Sequence, residues 1–277
     1  MVLESILNPK TAETKPWEVF VISCVFSVIA IIMSIILFPS QSSILSVAFI
    51  SIFFTPMFQR IFRYEEKKDG FYVKKNKRKE KHPSEYISIF KRHQRLIYVY
   101  SAFFIGIIVV FSFMFTFVPV TKQAFTLQVD WFRGYAIGFS SNQAPFERYF
   151  FNNTQVMLIF FALSVLFGAG ATFILSWNAS IIAVYLGMIA HKFIPTLGIS
   201  TAYVYGISVG LSAIIVHAIP ELLGYFFAGI AGGVLSVALI REKFMSQEFK
   251  EVMKDAFTWL ILAEILIIIG ALIESGL

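Results

Sequence analysis

Residues 96–118 read LIYVYSAFFIGIIVVFSFMFTFV, without a single charged side chain. A helix needs about 20 apolar residues to cross the hydrocarbon core of a bilayer, so this run is long enough to span it. The chain as a whole is 57% hydrophobic and 14% charged, whereas soluble globular domains carry about 25% charged residues. The sequence therefore predicts an all-α, polytopic transmembrane helical bundle.

Further apolar runs lie on both sides of this one. We predict about seven spans, with a broken or re-entrant helix around residues 199–240; two separate crossings there would make eight. The motif His217-x-x-Pro220-Glu221 lies in the middle of that stretch. Proline suits the first turn of a helix, so Pro220 is predicted to begin one. The remaining predicted spans are Trp17–Phe38, Ile44–Phe58, Thr154–Leu175, Ile181–Ala190 and Phe257–Ile273.

The basic residues are concentrated in one segment. Arg60–Arg95 contains thirteen Lys or Arg against five Asp or Glu, a net charge of +8, while the whole chain carries +6. Short connections rich in Lys and Arg stay in the cytoplasm. This predicts a cell-membrane protein with its N-terminus inside and, with seven spans, its C-terminus outside. The segment could also contact anionic lipid headgroups. It lacks the interleaved aromatic rings of a nucleic-acid site, so no nucleic-acid partner is predicted.

These features divide the chain into three parts. Residues 1–59 form a predicted transmembrane hairpin, residues 60–95 a basic cytoplasmic loop, and residues 96–277 a second transmembrane domain. Within the last part, residues 119–153 are rich in aromatic rings and are predicted to be external. The rings could lie in the outer bilayer interface or form a docking surface for a protein partner. The sequence leaves both readings open.

Charged side chains at membrane depth are costly and rare, so each is a candidate functional residue. Glu221 follows Pro220 in the predicted first helical turn, and Glu264 lies midway along the last span. Glu264 needs a partner or a proton, and His217 could supply the positive charge. The polar residues near predicted span ends, which could join this intramembrane site or cap helices, are Asn152, Asn153 and Asn178.

A histidine and two glutamates could also bind a metal through mixed nitrogen and oxygen ligands. Their spacing matches no established zinc pattern, and HExxH is absent. The sequence also contains no P-loop, dinucleotide fingerprint or nucleophile elbow. No cofactor is therefore predicted apart from this candidate metal at His217, Glu221 and Glu264, and an enzymatic function has little support.

Small residues recur at four-residue spacing downstream of Pro220. Such spacing allows a neighbouring helix to approach closely, and it indicates helix packing rather than chemistry. The residues concerned are Gly224, Ala228, Gly229, Gly232 and Gly233.

The order of these motifs resembles that of the stage II sporulation protein M (SpoIIM) family over about residues 96–277. The family usually has glycine where this chain has Ala179 and Ala218. The resemblance implies an α-helical protein of the cell membrane, a scaffold or transport-related component rather than a known catalyst. The likeness is carried by Asn152-Asn153, Asn178, His217-x-x-Pro220-Glu221, the run of small residues 228–233 and the closing segment Gly270–Glu274.

We therefore expect a non-enzymatic membrane scaffold that recruits protein partners, or assembles with itself, through the outer aromatic segment and the basic inner loop. The alternative is a transporter, or a lipid or ion translocator, that uses His217, Glu221 and Glu264 in a polar cavity. Charged sites near the bilayer midplane are common in transporters. An intramembrane metalloenzyme is a third hypothesis.

Overall fold

A computed structural model shows the protein as a bundle of α-helices. It describes the backbone of residues 9–76, 85–138, 145–167 and 171–276, and the side chains of residues 12–64, 94–133, 145–167 and 171–276. Within these ranges there are nine α-helices, two short 3₁₀ helices (Pro39–Gln41 and Pro119–Phe125) and no strand. The α-helices are α1 (Pro9–Thr14), α2 (Pro16–Leu37), α3 (Ser42–Asn76), α4 (Glu85–Phe117), α5 (Thr126–Gly138), α6 (Phe146–Phe167), α7 (Ala171–Leu197), α8 (Ile199–Arg241) and α9 (Gln247–Ser275).

Seven segments of the described chain are long and apolar enough to cross a membrane, which confirms the prediction of a polytopic bundle with about seven spans. They are Pro16–Leu37, Pro39–Tyr64, Gln94–Phe117 and the whole of helices α6, α7, α8 and α9. Helices α1 and α5, of 6 and 13 residues, are too short to span. The chain is a multi-pass membrane protein.

Helix α8 corrects the prediction of a break around residues 199–240. It continues without interruption from Ile199 to Arg241, and Pro220 lies in its interior instead of starting a helix. The predicted break is wrong because a proline removes only one helical hydrogen bond, and neighbouring helices in a membrane protein can compensate for that loss. At 1.5 Å per residue this 43-residue helix is about 65 Å long, roughly twice the ~30 Å hydrocarbon core.

A second predicted boundary is also wrong. The spans Thr154–Leu175 and Ile181–Ala190 were predicted to be joined by a turn around Asn178, but Asn178 lies inside helix α7. The Asn178 side-chain amide donates to the Ile174 carbonyl at 2.9 Å, and the Ser180 hydroxyl donates to the Trp177 carbonyl at 2.7 Å. Polar side chains that bond to the preceding helical turn can remain within a helix. The polar composition of this stretch therefore indicated a turn that the backbone does not make.

The aromatic segment that was predicted to be external is shorter than residues 119–153 and lies against the bundle. Helix α6 already begins at Phe146, so the last eight residues of the predicted segment 119–153 belong to a span; residues 139–144 lie outside the described part. The Phe125 ring contacts Phe111 with ring centroids 5.4 Å apart. The buried Gln128 donates from its side-chain amide to the Ser180 hydroxyl at 3.1 Å. These contacts hold the 3₁₀ helix Pro119–Phe125 against α4 and helix α5 against α7.

The basic segment 60–95 is partly helical. Helix α3 continues into it as far as Asn76, and helix α4 starts within it at Glu85. Residues 77–84, and the side chains of residues 65–93, lie outside the described part of the chain. The predicted contact of this segment with anionic lipid headgroups falls on those residues and stays a prediction.

The N-terminal hairpin shares a core with the rest of the bundle. The Ser23 hydroxyl on α2 donates to the Phe103 carbonyl on α4 at 2.8 Å. Phe54 and Phe58 of α3 pack on α4: the ring centroids of Phe54 and Phe103 are 4.5 Å apart, and those of Phe58 and Tyr100 are 4.7 Å apart. Helices α2 and α3 therefore pack directly on the helix that begins the second predicted domain.

Candidate functional site

A polar cluster joins helices α6, α8 and α9. At its centre lies Asn153 of α6, which is 7% exposed. Its side-chain amide donates to Glu221 Oε1 of α8 at 2.7 Å, and its side-chain oxygen accepts a hydrogen bond from the Tyr225 hydroxyl at 3.1 Å. The Asn152 amide also donates to this oxygen at 3.2 Å. Because α6 begins at Phe146, neither asparagine caps a helix.

Glu264 extends the cluster to helix α9. The Thr154 hydroxyl on α6 donates to Glu264 Oε1 at 2.9 Å. The second carboxylate oxygen, Oε2, is buried and has no hydrogen-bond partner among the described residues. Two consecutive residues of α6 thus contact the two candidate glutamates: Asn153 bonds to Glu221 of α8, and Thr154 bonds to Glu264 of α9.

Close helix packing holds the two glutamate-bearing helices together. A Cβ atom at Gly270 of α9 would lie 2.5 Å from Glu221 Cγ, and one at Gly224 of α8 would lie 3.0 Å from the Ala263 carbonyl oxygen. Glycine at these two positions therefore allows the carboxyl-bearing faces of α8 and α9 to meet.

The other small residues of α8 also lie at helix contacts. A Cβ atom at Gly232 would lie 2.5 Å from the Phe161 carbonyl oxygen of α6, and one at Gly233 would lie 2.6 Å from the Phe62 ring of α3. At Gly229 it would meet Ala171 at an ordinary 3.6 Å, and Ala228 is fully buried. These residues form the packing surface of α8 and take no part in the polar cluster.

Three predicted site residues do not join the cluster. His217 is half-buried and makes no hydrogen bond or ion pair with any residue the structure describes. Among the described residues, Asn178 bonds only to its own helix, and Pro220 lies within α8. No group of three His, Cys, Asp or Glu that could bind a metal occurs among the described residues. His217, Glu221 and Glu264 therefore do not fit the candidate metal site.

Two members of the cluster, Thr154 and Tyr225, are absent from the sequence prediction. Tyr225 lies one helical turn after Glu221, and residues four apart share a helix face, so this spacing could have indicated it. Thr154 follows Asn153 directly, but nothing in the sequence relates its hydroxyl to a glutamate 110 residues away. Hydroxyl-bearing residues are common in membrane helices, which makes them weak signals of a site.

The electrostatics of the cluster are acidic. Among the described residues, no Lys, Arg or His forms an ion pair with Glu221 or Glu264, and both carboxylates accept hydrogen bonds from neutral groups. A buried ionised carboxylate without a positive partner is costly. The arrangement can hold three helices together through hydrogen bonds, and its carboxylates could take up a proton or a small cation.

All residues of this cluster lie in the part of the chain that resembles known sequences. The family model described as Stage II sporulation protein M (SpoIIM) matches residues 99–277, which is more than half of the chain and includes helices α5 to α9 and most of α4. Searches of the curated proteins and of the solved structures found no match. The match covers every member of the polar cluster. The chain belongs to the SpoIIM family of membrane proteins.

Proposed function

We propose that this protein is a non-enzymatic component of the cell membrane that recruits a protein partner, or a second copy of itself, through the outer segment Pro119–Gly138. The supporting observation is that this segment has one buried face and one exposed apolar face. Its inner face is anchored by the buried Phe125 and Gln128, while Leu127 and Trp131 remain 45% and 42% exposed. Helix α5 is too short to span the bilayer, and exposed apolar faces outside the spans often mark interaction sites.

The polar cluster also supports this proposal, because it connects three helices of the bundle. Hydrogen bonds between membrane helices contribute about 0.6 kcal/mol each on average and up to about 1.7 kcal/mol. The bonds from Asn153 and Thr154 connect α6 to both α8 and α9. A rigid arrangement of these helices suits a platform that presents a docking surface, because a fixed surface loses little conformational entropy on binding.

Cross-linking in native membranes tests the docking surface. Cys24 is the only cysteine, so a Cys24→Ser background allows one new thiol at a time. Trp131→Cys should form disulfide or bismaleimide cross-links to a second copy or to one defined protein. The matched control is Ile36→Cys on helix α2, which is 70% exposed and should not cross-link. A protein that is monomeric in membranes and forms no cross-link through residue 131 would contradict the proposal.

The second candidate function is a translocator of protons, small cations or lipids that works through Glu221 and Glu264. It is supported by Glu264 Oε2, which is buried without a hydrogen-bond partner, and by the lack of an ion pair at either glutamate, both within the part of the chain that the structure describes. Glu221→Gln and Glu264→Gln should then abolish flux in proteoliposomes, while Glu251→Gln, in the first turns of α9 and hydrogen-bonded only to Gln247, should not. Wild-type vesicles that behave like empty ones would eliminate this candidate.

A further inference from the structure

A cavity of about 590 Å³ lies between the segment Pro119–Gly138 and helices α4 and α7, and it shares no lining residue with the polar cluster. One side is formed by α4 and α7, and the other by consecutive turns of the segment that contains α5. The lining residues are Phe115, Lys122, Thr126, Val129, Asp130, Arg133, Met188 and His191.

The rim of this cavity is basic. Lys122 is exposed and has no hydrogen bond or ion pair with any described residue. Arg133 Nη1 lies 3.3 Å from Asp130 Oδ1, but the two side chains are 73% and 64% exposed, and such surface pairs contribute little. A guanidinium has five N–H donors, so most of those on Arg133 remain available. The rim can therefore donate several hydrogen bonds to one anion.

His191 places a further nitrogen at the cavity. Its Nδ1 lies 2.8 Å from the Gly187 carbonyl oxygen and must donate to it, because a carbonyl only accepts. Its ring packs edge-on against Phe115 with centroids 5.3 Å apart. The ring is thus held in place, and in this tautomer Nε2 can accept a hydrogen bond but offers no donor to an anion.

The floor of the cavity is apolar. Phe115 is 8% exposed and packs on the buried Phe125, and Val129 and Met188 are partly buried beside it. A free anion would leave this floor uncovered, whereas an amphipathic anion would use both the rim and the floor. The cavity also lies beside the end of the span Gln94–Phe117, where the helix leaves the hydrocarbon region of the bilayer.

We propose that this cavity binds a membrane phospholipid, with the phosphate at Lys122 and Arg133 and the start of an acyl chain on Phe115 and Met188. Arginine recognises phosphate through parallel N–H donors, and lysine supplies a point charge. This site is separate from the polar cluster and does not depend on either function proposed above. It predicts that one lipid remains with the protein at a defined place.

The test is a titration of the purified full chain in mild detergent with dioctanoyl-phosphatidylglycerol, read by native mass spectrometry. One equivalent should bind saturably. Lys122→Gln and Arg133→Gln should each weaken binding by about tenfold, the usual effect of losing a hydrogen bond to a charged group. Asp130→Asn should strengthen binding several-fold, because it removes the negative charge of Asp130 from the cavity lining. Lys192→Gln, an exposed cation outside the cavity lining, should leave binding unchanged.

Competitors identify the ligand class. Inorganic phosphate and uncharged dioctanoylglycerol should each compete at least tenfold more weakly than the phospholipid. Equal competition by phosphate alone, or by the uncharged lipid alone, would overturn the proposal, as would a loss in Lys192→Gln as large as in Arg133→Gln. Val129→Trp fills the floor without changing charge and should also prevent binding. It keeps the test decisive if a rim variant fails to fold, and full lipid binding by a folded Val129→Trp protein would refute the site.

Discussion

Replacing Asn153 by alanine removes the side chain that connects helices α6 and α8. Its amide donates to Glu221 Oε1 at 2.7 Å and accepts from the Tyr225 hydroxyl at 3.1 Å. At about 0.6 to 1.7 kcal/mol for each bond in a membrane, the two bonds together are worth roughly 1–3 kcal/mol. Because Asn153 is 7% exposed, water has little access to replace the lost partners. Asn153→Ala should therefore lower the free energy of unfolding by that amount.

A double-mutant cycle separates this bond from other effects of the substitution. Glu221→Met keeps the length of the side chain but cannot accept a hydrogen bond. Unfolding in mixed micelles with increasing denaturing detergent should give a coupling energy of about 0.6–1.7 kcal/mol between Asn153→Ala and Glu221→Met. The control cycle pairs Glu221→Met with Asn178→Ala, whose amide bonds only within its own helix, and should be additive. Additivity within about 0.3 kcal/mol for the Asn153 cycle would refute the assignment of the cluster as a connection between helices.

Two further predictions concern packing and use the same unfolding measurement. Gly206→Ala should cost about 1–3 kcal/mol, because its Cβ would lie 2.3 Å from the Ala190 backbone, whereas Gly229→Ala has 3.6 Å of room and should change stability by less than about 0.5 kcal/mol. Equal losses for the two glycines would contradict the packing described for α8. Phe58→Ala should cost about 3–5 kcal/mol, because the ring is fully buried. Phe113→Ala, at a ring that is 46% exposed, should cost much less, and a comparable loss there would place the core elsewhere.

The number of spans could be predicted from the sequence because a span depends on local composition. An uncharged run such as residues 96–118 has few stable places outside a bilayer, whatever its neighbours are. Helix ends depend instead on contacts that local composition does not contain. Pro220 and Asn178 both indicated an interruption, yet α8 and α7 continue through them because packing and backbone hydrogen bonds outweigh these local preferences.

The candidate site could be predicted only in part. Glu221, Glu264 and Asn153 are identifiable as polar residues within or beside apolar runs, and the structure brings these three together. The partners are 68 residues apart for Asn153 and Glu221, and 110 for Thr154 and Glu264. Whether two such residues meet depends on the rotation of each helix about its axis, which periodicity constrains poorly when most faces are apolar. For the same reason, His217 was placed with the glutamates in the sequence prediction.

The aromatic contacts between the first hairpin and helix α4 bear on how this protein can be divided. The family match starts at residue 99, so both hairpin helices lie outside it. A fragment cut at that limit would lose Phe54 and Phe58, and the rings of Tyr100 and Phe103 would face lipid tails in place of fitted aromatic neighbours. The limit of the family match therefore lies within a packed core, and a truncation made there would remove part of that core.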